Sequence, residues 1–333
     1  MIARALKFGG RIAAPAVLAS LFLAGNAASA AETWKFYMHQ SAPNFATSRG
    51  AKLLTEEIEK ATGGDLKMQL HLAGTLQINP ADITKAVGEG IVQFGDDLFN
   101  SGNIPLAGIP RLPMLVQSYD DFEKANAVLR PYIDRAFAAK GSTVLAAYSY
   151  PMQVVWGKKK LENLDDIKGL KLRVAAPEQG EFVRRFGGTS ITMSAPEVPA
   201  ALDRGVVDGI FTAGVGAVLW KDQLKYGYLL VVNVNNSYII ANTEAFNKLN
   251  PDLQGKLRKV AADIGKWNQE TMKAEEGASQ KTLGDAGYVL SQAKPAEIAR
   301  AVQTMTPYWD EWAKSRGPEV VEALGKVRAA LGR

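Results

Sequence analysis

The side chain best suited to hold a ligand is Arg173, in the run Gly169-Leu170-Lys171-Leu172-Arg173-Val174. The pattern over 170–174 predicts a strand with the arginine at its carboxyl end. There a planar guanidinium can give a carboxylate two parallel charge-assisted hydrogen bonds, in the crevice where α/β sheets bind ligands. The alternative for Arg173 is an ordinary surface ion pair. His39 ends a second predicted strand, over 34–38, and is placed for a ligand by the same rule or simply lies at the surface. His71 shares the polar side of its strand with Lys67 and Gln69 and reads as solvated. With two histidines and no cysteine, the chain has no material for disulfides, zinc-thiolate or iron–sulfur sites, or thiol nucleophiles, and little for a multi-histidine metal site or a Ser-His-Asp enzyme.

Other chemistries find weaker support. No G-x-x-x-x-G-K-[ST] run is present, and Gly205, Gly209, Gly214 and Gly216 lack dinucleotide-binding spacing. Tight turns are the better use for those glycines. The run Lys158-Lys159-Lys160 is short and carries no interleaved aromatics, so it reads as a solvated loop. The pairs Asp96-Asp97 and Asp165-Asp166 are rejected as metal ligands, because adjacent side chains on a strand point to opposite faces and nothing completes an oxygen cage. Asn235-Asn236-Ser237 matches a glycosylation pattern by coincidence.

Periodicity supplies the elements that must position these residues. Strands are expected over 34–38, 66–72, 92–94, 143–148, 170–174, 207–211, 228–234 and 238–242. Helices are expected over 47–62, 81–88, 119–139, 178–186 and 196–204. Three prolines within 104–116 argue against a regular element there. From Pro251 the apolar set Leu253, Leu257, Val260, Ile264 and Trp267 marks one face of an unusually long helix. Two further helices divide at Gly317-Pro318. The β-α-β-α-β order predicts α/β lobes with mainly parallel sheets, and 333 residues suit two of them.

The first thirty residues form a different unit. Arg4, Lys7 and Arg11 precede an apolar stretch over 12–25 and the small-residue site Ala28-Ser29-Ala30. This is the pattern of a secretory leader, expected to be cleaved after Ala30 in the periplasm, an uncleaved membrane anchor being the alternative. The whole chain has 39 basic and 34 acidic residues. Removing the three leader cations leaves 36 against 34, or +2, which gives no reason to invoke nucleic acid.

Beyond the leader, the chain resembles the solute-binding proteins of tripartite ATP-independent periplasmic (TRAP) transporters, of the dicarboxylate-receptor (DctP) type. The resemblance is collinear over 32–333. It rests on the 34–38 strand, EEIEKATGGDLKMQLHLAGTL at 56–76, DDIKGLKLRV at 165–174, SAPEVPAALDRGVVDGIF at 194–211 and ANTEAFNKL at 241–249. It implies a two-lobed type II periplasmic-binding-protein fold with chain crossovers and a long interlobe helix. Residues 31–150 with 237–275 would form one lobe, and 151–236 with 276–333 the second, carrying the C-terminal helices.

It also implies that Arg173 holds a substrate carboxylate and that Thr212, three residues after the V-D-G glycine, stands where an asparagine often contacts the same group. Its hydroxyl has less reach. Some relatives have another cation near 151–156; here that stretch offers Gln153 and Trp156. Phe211 follows V-D-G, and Asn235 is a further candidate contact. Trp156 and Phe211 beside a single cation favour an organic monocarboxylate with an apolar or aromatic body; the equal alternative is that both rings pack in the lobe core. The resemblance implies a non-enzymatic monomer without cofactor, serving a TRAP permease. A periplasmic sensor using the same clamshell remains the alternative, and a hydrolase or isomerase would need a base or nucleophile that no motif supplies.

Overall fold

The computed structural model describes residues 32–193 and 197–333. The expected leader and residues 194–196 lie outside them. In the first part of the chain, β1 (Glu32–Met38), α1 (Ala46–Ala61), β2 (Leu66–His71), α2 (Ile83–Gly88) and β3 (Phe94–Asp97) alternate as expected. Alternation on β1 sorts its side chains: Trp34, Phe36 and Met38 enter the core shared with α1, whereas Tyr37 enters the core on the other face. The third strand covers 94–97 rather than 92–94. Gly95-Asp96-Asp97 carries no apolar pattern, yet all four residues of β3 are buried.

The proline-rich segment forms one 3-10 run, Pro105–Arg111. Residues 106–116 are buried without a break, so their polar groups need partners. Met114 N–H donates to the Val232 carbonyl at 2.6 Å, and the Pro113 carbonyl accepts from Trp309 Nε1 at 2.8 Å. Next come α3 (Tyr119–Ala138), capped by Ser118, and β4 (Ser142–Ser149).

After three residues the chain enters a second sheet. Its elements are β5 (Gln153–Gly157), β6 (Lys171–Val174), α4 (Pro177–Arg185), β7 (Thr189–Thr192), α5 (Val198–Asp203), β8 (Gly209–Thr212), α6 (Gly214–Val218) and β9 (Tyr226–Asn233). Then β10 (Asn236–Asn242) returns to the first sheet, followed by α7 (Thr243–Lys248). The long helix is α8 (Pro251–Asp285), 35 residues or about 52 Å of rise. Asn250 Oδ1 accepts from Leu253 N–H at 2.9 Å at its start, with Pro251 in the first turn. The chain finishes with β11 (Val289–Gln292), α9 (Pro295–Lys314) and α10 (Pro318–Leu331).

The first sheet has the order β2-β1-β3-β10-β4, with β10 antiparallel to both neighbours and the other pairs parallel. The second has the order β11-β9-β5-β8-β6-β7, with β5 antiparallel to β9 and β8. Two α/β lobes result, joined by crossovers at 150–152 and 234–235. The α8 helix joins them a third time: Leu257 to Met272 pack in the core of the first sheet, and Leu283 in a core of the second. The last helix, α10, packs on α3 beside the first sheet and on α9.

Strands β5, β7 and β11 and helices α6 and α7 are findings that periodicity did not mark. The five residues of β5 are all buried, and a strand covered on both faces shows no alternation. Across β5, the Trp156 ring lies on Gly227 of β9, where an added Cβ would sit 2.5 Å from Trp156 Cζ3 and 3.0 Å from Leu290 Cδ2. The variant Gly227→Ala is therefore expected to lose about 1–3 kcal/mol of stability through overpacking. Urea unfolding checks this, and an unchanged midpoint would remove the crowding argument.

Candidate functional site

The carboxyl ends of β1 and β3 and the start of β10 bring together a buried polar group in the first lobe. His39 follows β1 and is 7 % exposed. Its Nδ1 lies 3.0 Å from the Asp96 carbonyl, which can only accept, so Nδ1 carries the proton. Nε2 then accepts from the Tyr150 hydroxyl at 2.6 Å. Burial holds the imidazole below its ordinary pKa, so it is neutral, although the nearby Asp96 carboxylate opposes this. Asp96 accepts from Tyr148 Oη at 2.7 Å and Ser237 Oγ at 2.5 Å, and burial raises its pKa.

Asp97 points the other way, as alternation on a strand requires. Its Oδ2 accepts from Thr84 N–H at 3.1 Å and Thr84 Oγ1 at 2.5 Å, while Oδ1 is buried without a partner. Burial pushes its pKa to about 7, with Thr84 and Arg111 opposing. The ordinary value is 3.8, so between these limits the folded state binds more protons than the unfolded one. Stability contributed through this group therefore falls as pH rises from about 4 to about 7. Asp97→Asn is expected to lose that slope, read as the pH dependence of urea unfolding; the same slope in variant and parent would refute it. No group of three or more acidic or histidine side chains placed to hold a metal occurs among the described residues.

The second lobe contributes a cation. Arg173 lies on β6 between Leu172 and Val174, which enter a core, and is itself 6 % exposed. Nε donates to the Met193 carbonyl at 3.0 Å and Nη1 to the Phe211 carbonyl at 3.4 Å. These neutral acceptors orient the fork without cancelling its charge. Desolvation lowers its pKa and the Glu197 charge raises it, which leaves a guanidinium ionised at neutral pH. Half-buried Thr212 lies two strand residues beyond Ile210. Immediately after it, Gly214 and Val215 N–H donate to the Glu276 carboxylate at 2.8 and 3.1 Å, so α8 fastens the start of α6.

The residues expected at the site fall into two groups. Tyr150 joins His39 to Asn235: its hydroxyl meets the imidazole, and its N–H donates to the Asn235 carbonyl at 2.7 Å. Arg173, Thr212, Phe211 and Trp156 lie on the adjacent strands β6, β8 and β5. Gln153, at the start of β5, turns its Nε2 onto the Pro151 carbonyl at 2.9 Å.

Two expectations need correction. Trp156 is fully buried, donates Nε1–H to the Thr212 carbonyl at 3.0 Å, and packs edge-on against Tyr288. Phe211 is also fully buried and meets Phe182 edge-on at 6.0 Å. Both rings are core, because β5 and β8 lie inside the sheet with both faces covered. An exposed aromatic that does lie beside a site residue is Phe99, 45 % exposed, its ring 6.3 Å from that of His39. Its position just past a short polar strand gave no sequence signal. Tyr150 was legible only as a lobe boundary.

Two α/β lobes joined at crossovers, with a cation at one set of strand ends and hydrogen-bonding groups at the other, define a clamshell that binds a solute between its halves. The chain belongs to the bacterial extracellular solute-binding protein family 7, the DctP family, whose model matches residues 37–315. It is thus a solute receptor of the class its sequence resembles, not an enzyme. The C4-dicarboxylate-binding periplasmic protein DctP of Rhodobacter capsulatus is 25% identical over 307 residues, covering 88% of this chain and 90% of that protein. DctP7 of Bordetella pertussis, an extracytoplasmic solute receptor binding pyroglutamic acid, superimposes with a TM-score of 0.79 at 24% identity, over 90% of this chain and 100% of DctP7. A marine metagenome TRAP solute-binding protein specific for pyroglutamate gives 0.77 at 22% identity, over 90% and 99%.

Proposed function

We propose that this protein is a periplasmic receptor that captures an organic monocarboxylate between its lobes and delivers it to a TRAP membrane permease. The observation that carries the reading is Arg173, a buried cation at a strand end whose hydrogen bonds go to neutral carbonyls. Its fork would take the carboxylate and Thr212 would stand beside it. On the facing wall the imidazole of His39 is neutral and the Asp96 carboxyl beside it is buried, so neither offers a positive charge to a second carboxylate. Phe99, rather than Trp156 or Phe211, would cover the apolar body of the solute. Export would use the leader at 1–30, with cleavage after Ala30, and the receptor would act as a monomer.

The relatives divide on this point. The Rhodobacter protein is named for C4-dicarboxylates, and DctP7 is described as binding pyroglutamic acid; the charge pattern of this cleft supports the second kind of solute. Titration calorimetry over a panel of monocarboxylates, C4-dicarboxylates and sugar acids tests it, on protein freed of carried-over solute. A monocarboxylate is expected to bind tightest. Succinate in that place would sink the reading.

A further inference from the structure

A second arginine lies beside a crossover between the lobes. Arg111 ends the buried 3-10 run and is 8 % exposed. Its Nε donates to Asn236 Oδ1 at 2.8 Å, and its Nη2 donates to the Asn236 carbonyl at 2.6 Å and to the Leu98 carbonyl. It thereby grips the first residue of β10, directly after the crossover at 234–235. Nη1 makes no hydrogen bond with any described residue, and it is not among the atoms sealed from solvent.

The surroundings of Arg111 locate this open arm. Leu98 lies at the carboxyl end of β3, next to Phe99. The charge of Arg111 bears on His39 in the first lobe, and the carboxylate of Glu178, at the start of α4, bears on Arg111 from the second. The α4 helix follows β6, the strand that carries Arg173. Through Leu98 and Asn236, Arg111 stands at the carboxyl end of β3 and the start of β10, beside the crossover to the second lobe. Nη1 is a donor with no protein partner among the described residues and with access to solvent, so a solute oxygen can take the place of water on it. The Glu178 carboxylate already bears on the charge of Arg111, with Asp97 adding to it where ionised, and both would oppose a further carboxylate. A neutral oxygen meets no such repulsion and still gains a charge-assisted bond.

We propose that Arg111 is a specificity-determining residue whose Nη1 receives an uncharged oxygen, a carbonyl or hydroxyl, on the body of the solute whose carboxylate Arg173 holds. This rests on the proposed function above and narrows it to oxygen-bearing monocarboxylates.

Matched acids that differ by one oxygen test it on the whole protein by titration calorimetry: 4-oxopentanoate against pentanoate, and 3-oxocyclopentanecarboxylate against cyclopentanecarboxylate. The wild type is expected to prefer the oxo member by about 10- to 100-fold, the range for a hydrogen bond to a charged group. Arg111→Lys, which keeps the charge, and Arg111→Gln, which keeps a planar donor, are expected to lose most of that preference, whatever the lost grip on Asn236 costs both members alike. Equal affinity of the wild type for both members would overturn the proposal. So would an equal loss for both members in the variants, which would make Arg111 only a fastener of the crossover. These results leave the reading of Arg173 standing; failure of every acid to bind, or binding indifferent to Arg173→Ala, would sink both.

Discussion

Arg173→Ala is expected to fold as the wild type does and to lose about 2–5 kcal/mol of affinity for its carboxylate solute, the range for truncating one partner of a buried charge pair. The guanidinium is already buried and oriented by the Met193 and Phe211 carbonyls, so little ordering remains to oppose binding. Arg173→Lys is also expected to bind poorly, because an ammonium cannot present two parallel donors to a carboxylate. Calorimetry with the tightest acid of the panel, paired with thermal unfolding, separates the two effects. Full affinity in Arg173→Ala at an unchanged melting temperature would disprove the assignment.

Trp156→Ala is expected to act in the opposite sense, costing about 3–5 kcal/mol of stability, as large-to-small changes in a packed core do. The ring is fully enclosed, fills the space over Gly227 and beside Tyr288, and donates to the Thr212 carbonyl. Its removal leaves a cavity and an unanswered carbonyl. Trp156→Phe retains most of the packing and should lose less. Neither change is expected to alter the order of preference among acids, provided binding is measured well below the melting temperature. A reordered panel with normal stability would return Trp156 to the cleft wall.

Sequence and structure part company at particular residues for one reason. A strand with one face in a core and one outside, such as β2, shows alternation and is legible. Strand β5 has both faces covered and reads as an apolar run; β3 is buried but polar, and reads as nothing. Phe211 and Phe99 show the consequence for the site. The first follows a motif and was placed at the solute, yet meets Phe182; the second carries no motif and is exposed beside His39.

The sequence by itself determined the family, the α/β alternation and the long helix, and it singled out the arginine proposed to hold the solute, because these depend on local spacing and on a contiguous motif. Only the tertiary structure decided which aromatics are core and which are exposed, that Asp96 and Asp97 serve different partners, and that Arg111 grips the crossover with one arm open. Each of those outcomes depends on residues more than ten positions apart meeting, as Arg111 and Asn236 do across 125 residues, and no local pattern records such a meeting.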